Sequence, residues 1–157
     1  MKNVFSELPQ AFRFCPGCGV PAPSAAAARV FVCPACGWCL YANVAAAVVA
    51  LIRVGEGGLV LVRRAREPFR GTLDLPGGFV EPGESAEEAL QREGREEIGL
   101  DVKKLRYFGA FPNVYPYRGI RYRTLDLAFH AQAPADPILV AADDRRWFTV
   151  EVTPAWR

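Results

Sequence analysis

The chain has 157 residues, 51% hydrophobic and 23% charged, proportions that suit a globular protein with one full core and a small appendage. A net charge of +2 is too small to build the field that nonspecific nucleic-acid or membrane binding needs. The opening MKNVFSELPQ lacks the apolar core of a secretory leader, and the apolar run Val44–Ile52 is far too short to span a bilayer, so the cytoplasm is the expected location.

Residues 1–12 read as an N-terminal tail. The five cysteines all fall between Cys15 and Cys39. Cys15-Pro-Gly-Cys18-Gly19 and Cys33-Pro-Ala-Cys36-Gly37 are two knuckles of the form C-P-x-C-G. Each turn lets two thiolates converge, and the glycine after it tolerates the backbone that aims N–H groups at sulfur. Two knuckles at this spacing predict a tetrahedral Cys₄ zinc ribbon over 13–40, with Cys15, Cys18, Cys33 and Cys36 as ligands. Disulfides or a redox CxxC pair are the alternative, disfavoured in a reducing compartment. Cys39 also makes a CxxC with Cys36; Gly37 marks Cys33–Cys36 as the knuckle and leaves Cys39 as a spare thiol. Four thiolates leave no open coordination position, so this Zn²⁺ is expected to be structural, stabilising the fold or a homodimer.

Val44–Ile52 reads as a buried strand, Gly55–Gly58 as a turn and Leu59–Val62 as the returning strand of a hairpin. Arg63, Arg64, Arg66 and Arg70 follow, either as a solvated loop or as guanidinium forks for substrate phosphates, with Arg63 and Arg64 the candidates. Thr72–Leu75 reads as a short strand. After residue 100, Lys104–Phe111 reads as a strand, Pro112–Gly119 as a loop rich in proline and tyrosine, and Arg121–Ala131 as a strand. That strand puts Leu125, Leu127 and Phe129 on one face, Asp126 and His130 on the other. Tyr115, Tyr117 and Tyr122 are candidates to stack on a base, or else they pack at the core or rim. His130 has no identifiable nucleophile partner and reads as structural. Asp143-Asp144 lies in a loop before a last strand, Trp147–Val150.

Between these parts lies Gly78–Leu100, GFVEPGESAEEALQREGREEIGL. Ser85 and Glu88 form a capping box that starts a helix near Ala86, and Gly99 is placed for a left-handed C-cap. Ala86, Ala89 and Leu90 form an apolar stripe that Glu93 and Glu97 continue, with Glu96 on its flank. Carboxylates at i,i+4 cost roughly 0.2–0.5 kcal/mol even when exposed and crowd the negative end of the helix dipole. A cation should compensate, and oxygen-only ligands on one helix face point to Mg²⁺ or Mn²⁺.

The stretch resembles the Nudix box, G-x5-E-x7-R-E-U-x-E-E-x-G-U with U aliphatic. Gly78, Glu84, Arg92, Glu93, Glu96, Glu97, Gly99 and Leu100 fall on the pattern; Gly94 stands where an aliphatic residue is usual. The resemblance implies an α/β class fold, an α/β/α sandwich with a mixed sheet, over 41–157. It implies hydrolysis of the pyrophosphate bond of a nucleoside diphosphate linked to another moiety, a small nucleotide such as NAD(H) or ADP-ribose. Carried over, Glu93, Glu96 and Glu97 are catalytic metal ligands, Arg92 and Glu84 brace the loop and orient them, and Gly78 lets the backbone approach. The general base is a box glutamate or an acid such as Asp143 or Asp144. A ribbon ahead of the box is similar to the NADH pyrophosphatase branch, whose S-Q-P-W-P-F-P-x-S motif this chain lacks; Phe111–Tyr117 occupies the comparable place. The alternative is a non-catalytic module that binds a nucleotide or RNA.

Overall fold

A computed structural model describes residues 13–21, 30–41, 43–54, 58–118, 120–132 and 146–151. The chain divides into two compact units, Met1–Val44 and Ala45–Arg157.

In the first unit, β1 (Val30–Val32) and β2 (Cys39–Tyr41) pair antiparallel with Phe31 opposite Leu40. The two knuckles have the same local structure. Gly19 N–H donates to the Cys15 carbonyl at 2.8 Å and Gly37 N–H to that of Cys33 at 2.9 Å. Both glycines are left-handed, at φ 74 and 73, where a Cβ would be strained. Among the described residues its core is Cys15, Phe31 and Cys33, with Val20, Trp38 and Leu40 packed against them.

The second unit is a seven-stranded mixed sheet with one helix among the described residues. β3 (Ala45–Val54) is its central strand. It runs parallel to β8 (Ile120–Gln132) from Ala45 beside Thr124 to Arg53 beside Gln132. Its other edge is shared. β4 (Gly58–Arg63) takes Arg53 and Val54, and β6 (Gly77–Phe79) takes Ala47 to Val49. β5 (Leu73–Asp74) and β9 (Arg146–Glu151) both pair with β4. A strand with neighbours on both edges and packing on its face needs a continuous apolar run, which is how Ala45–Ile52 reads.

The helix α1 (Ala86–Ile98) covers one face of this sheet. Val48, Ala50 and Ile52 of β3, Val60 and Val62 of β4, and Phe129 and Ala131 of β8 meet Ala89, Leu90 and Ile98 there. Each fully buried aliphatic side chain contributes about 1.5–3 kcal/mol. No helix among the described residues is long and apolar enough to cross a membrane.

Gly94, the departure from the box pattern, is explained by packing. A Cβ on it would lie 2.9 Å from the Leu100 carbonyl oxygen and about as close to the side chain of Val102, at 3.1 Å. Val102 is fully buried and fills the space an aliphatic residue at 94 would take.

The segment 112–119, expected as a loop, is largely strand. β7 runs Lys103–Tyr117 and pairs with β8 to the last residue, Tyr117 opposite Ile120. Proline in a strand forfeits an amide donor, but β7 is the outermost strand on its side of the sheet, where prolines are tolerated. Asn113, Tyr115 and Tyr117 alternate with Pro112, Val114 and Pro116, the period of a strand, and tyrosine favours that backbone.

Candidate active site

α1 begins as its sequence dictates. Ser85 Oγ accepts from Glu88 N–H at 3.2 Å, and Glu88 returns the bond to Ser85 N–H at 2.7 Å. The helix ends at Gly99 in the left-handed region, φ 69, with its N–H on the Arg95 carbonyl. These two caps set the helix rotation, and with it the direction in which the box carboxylates face.

Glu97 is 4% exposed, and its Oε2 accepts from Gly77 N–H at 3.0 Å. The Glu93 carboxylate occupies the space above Gly78: a Cβ there would stand 2.2 Å from Glu93 Oε1. The glycine turn of β6 therefore lets the backbone close onto both acids at once.

Arg92 ties the constellation together. Its Nε and Nη2 clasp the Glu84 carboxylate at 3.2 and 2.8 Å. Nη1 donates to Glu93 at 2.8 Å and to Glu96 at 3.1 Å, and Nη2 also donates to the Phe79 carbonyl at 3.0 Å. Bidentate geometry of this kind fixes orientation as well as energy. Hydrogen bonds to Glu84 hold the Arg92 guanidinium above its ordinary range despite partial burial. In return the Arg92 bond, with the Glu81 N–H, holds Glu84 below the usual carboxylate value.

Glu93 and Glu97 open onto a cleft of about 370 Å³ that Asp74, Glu81, Asp126, Arg64 and Arg92 also line. Five carboxylates face two guanidinium groups, and both of those are already engaged. Hard oxygen donors in such excess suit a divalent cation of the Mg²⁺ or Mn²⁺ kind. Glu96 is tied to Arg92 and is 58% exposed.

Of the five candidates for substrate contact, Arg63, Arg64, Tyr115, Tyr117 and Tyr122, the structure brings Arg64 and Tyr115 into the cleft. Arg64 donates to the Pro68 carbonyl at 2.8 Å, to Asp74 at 3.1 Å and to the Tyr115 hydroxyl at 2.9 Å. Burial works against its charge, but Tyr115 and Asp74 outweigh it and raise its pKa. The Tyr115 ring meets Phe79 edge-on at 5.7 Å and stacks on Tyr117 at 6.3 Å. Arg63 donates instead to the Gly71 carbonyl, and neither it nor Tyr117 lines the cleft. His130 packs edge-on against Phe108 at 5.0 Å. Asp143 and Asp144 lie outside the described residues.

Asp74, Phe79, Asn113, Thr124 and Asp126 were not among the sequence candidates, yet they line the same cleft. Asp126 had a signal: an acid in the middle of an apolar strand. Asn113 and Phe79 had none, because their position depends on strand register.

In the first unit, Cys15 Sγ is 3.8 Å from Cys36 Sγ, and Cys18 Sγ is 3.7 Å from Cys33 Sγ. All four sulfurs lie within 4.8 Å of one another. Zn–S bonds of about 2.3 Å in a tetrahedron require S···S edges of roughly 3.8 Å, so the four thiols fit zinc. Among the described residues this is where three or more such ligand atoms converge as a metal set. Cys39 sits on β2 opposite Val32, outside the set.

The NUDIX domain model matches residues 43–156. The chain belongs to the Nudix family. Its relatives include the NAD-capped RNA hydrolase NudC of Stutzerimonas stutzeri, 33% identical over 146 residues that cover 91% of this chain and 50% of that protein. The Nudix chain thus spans about half the length of the curated relatives it matches. Among solved structures, a NUDIX hydrolase from Nitrosomonas europaea superposes with a TM-score of 0.62 at 26% identity, covering 87% of this chain and 77% of that one. The NUDIX domain of Shewanella oneidensis NrtR, complexed with ADP ribose, shares the fold, with a TM-score of 0.55 at 19% identity over 69% and 74% of the two chains.

Proposed function

We propose that this Nudix protein hydrolyses the pyrophosphate bond of a nucleoside diphosphate linked to another moiety, with NAD(H), ADP-ribose and an NAD-capped RNA end as leading substrates. The observation that carries this reading is the cleft in which buried Glu97 and half-buried Glu93 face the glycine turn of β6, with Arg92 clamped on Glu84. Glu93, Glu96 and Glu97 would hold Mg²⁺ or Mn²⁺. When bound, such an ion offsets the charge on pyrophosphate oxygens and lowers the pKa of a ligated water.

The chain's own groups divide the remaining work. Arg92 and Glu84 keep Glu93 and Glu96 in one orientation, so that no reorganisation is needed at the moment of reaction. Arg64, held by Asp74 and Tyr115, presents a cation at the cleft wall toward the phosphates. A carboxylate accepts the proton of the attacking water; the candidates are a box glutamate, Asp143 and Asp144. Cys15, Cys18, Cys33 and Cys36 hold a structural Zn²⁺ apart from this chemistry.

The NudC relatives act on an RNA end by name, so a nucleic acid is retained as the second moiety although the net charge of the chain is low. A panel of NADH, NAD⁺, ADP-ribose, nucleotide sugars and a short NAD-capped RNA, with Mg²⁺ and with Mn²⁺ and products identified by mass, tests the proposal. Release of two monophosphates from at least one member is expected. Tight binding with no hydrolysis in either metal would replace the enzyme with a binding module.

A further inference from the structure

Asp126 lines the same cleft as Glu93 and Glu97 and stands in the middle of β8. In the sheet it stands beside Ala47 of β3, which in turn stands beside Phe79 of β6. The three residues form one row on the face that α1 does not cover, and the small Ala47 leaves headroom at its centre. The Asp126 carboxylate is fixed on both sides. Thr124 Oγ1 donates to its Oδ1 at 2.7 Å, and Asn113 Nδ2 donates to its Oδ2 at 2.7 Å. The amide of Asn113 is itself oriented, because its Oδ1 accepts from Val114 N–H at 2.7 Å. Thr124 is buried, at 3% exposure.

This carboxylate differs from Asp74 and Glu93 in the same cleft. Asp74 pairs with Arg64 and Glu93 with Arg92. Among the described residues no lysine or arginine forms an ion pair with Asp126; its two partners are neutral donors. Each oxygen has accepted one bond and retains a lone pair for another. A fixed carboxylate with no cationic partner among the described residues attracts donor hydrogens and repels phosphate.

We propose that Asp126 is a specificity-determining residue: it accepts hydrogen bonds from an uncharged donor on the nucleoside of the substrate, a ribose diol or the exocyclic amine of a base, and excludes phosphate from that end of the cleft. The proposal rests on the nucleotide-hydrolase reading above. It divides the cleft into an end for phosphates, at Arg64, Glu93 and Glu97, and an end for donors, at Asp126. A carboxylate that accepts from a ribose hydroxyl rejects a phosphate added there, by the same logic that separates the two nicotinamide dinucleotides in other folds.

The test is steady-state kinetics of the full chain, its D126A and D126N variants, and N113A, which frees the carboxylate without removing it. The substrates are NAD⁺, its 2′-phosphorylated form, a 2′-deoxy analogue and a hypoxanthine analogue. Calorimetric titration of AMP supplies a second readout. D126A should raise KM for NAD⁺ roughly ten- to a hundred-fold, the loss expected for a bond to a charged acceptor, while kcat changes little. N113A should show the same pattern more weakly. The wild type should penalise the analogue that lacks the donor read, the deoxy form if that is the sugar and the hypoxanthine form if it is the base, and D126A should erase that penalty. Circular dichroism shows whether D126A is folded; if it is not, D126N carries the comparison because it keeps the shape. Unchanged selectivity across all four substrates, or a fall in kcat with KM intact, overturns the proposal. Loss of Mn²⁺ affinity in D126A overturns it too, since Asp126 would then be a metal ligand. If no substrate is hydrolysed by the wild type, the enzyme reading fails by itself, and the AMP titration still decides: equal affinity in wild type and D126A, or none in the wild type, overturns the role of Asp126.

Discussion

Single atoms decide the geometry of the box. A Cβ on residue 78 would stand 2.2 Å from Glu93 Oε1 and 2.6 Å from its Cδ, so G78A must push the carboxylate aside. A misplacement of about 1 Å at a reacting centre costs roughly 10²-fold in rate. G78A should therefore lose at least that much kcat/KM while its melting temperature changes little, a split that parallel kinetic and thermal measurements would reveal. The Arg92–Glu84 clasp makes a different prediction. Arg92, then the Glu81 N–H, holds Glu84 below its usual 4.5 in the folded state. The stability this contributes is whole above that usual value and is lost as pH falls through the lower, folded-state value. Thermal melts from about pH 6 to about pH 3 should show a smaller drop for E84Q than for the wild type. An equal drop would mean that other carboxylates govern the acid limb.

The two recurring elements, knuckle and capped helix, differ in what they need from the rest of the chain. The knuckles are local: Cys, turn and left-handed glycine occur within five residues, so the sequence alone shows the ligand set. Cys36 and Cys39 looked exchangeable by spacing, but only Cys36 reaches the other sulfurs, because Cys39 is already committed to β2. Metal analysis should accordingly find one Zn²⁺ in C39S, as in the wild type, and loss of that Zn²⁺ in C36S, with lower solubility or a lower melting point. A chelator strong enough to take the zinc should reproduce the C36S behaviour. The helix is also local in its caps, and both were legible. Its partner surface was not, since Val48, Val60 and Phe129 reach it from distant parts of the chain.

At the scale of the whole molecule, the box supplies chemistry and the sheet supplies the cleft wall. E97Q should lower turnover by several orders of magnitude, in line with losses of about 10²–10⁴ for a positioned acid–base group and more for a metal ligand. Its circular dichroism should match the wild type. Full activity in E97Q would remove Glu97 from the metal site. β7 and β8 carry Tyr115, Asn113, Thr124 and Asp126 to the cleft that α1 enters with Glu93 and Glu97, so the specificity and catalysis proposed above would reside on separate elements and should respond separately to mutation.

Whatever is written in short-range chemistry was legible from the residues alone. That covers the four converging thiols, the capping box, the glycine cap, the box carboxylates and the apolar run of β3, each a pattern complete within a few residues. The remainder depended on long-range packing. Pro112 and Pro116 suggested a loop, but an edge strand needs fewer amide donors, so β7 runs on to Tyr117. Arg63 is the last residue of β4, whereas Arg64 lies just beyond it and is drawn into the cleft by Asp74 and Tyr115, partners from distant parts of the chain. Asp126 acquired its setting from Asn113, which stands opposite Thr124 in the β7–β8 pairing and donates diagonally to the Asp126 carboxylate. Register between strands far apart in the chain is set by packing of the whole sheet, and no local pattern carries that information.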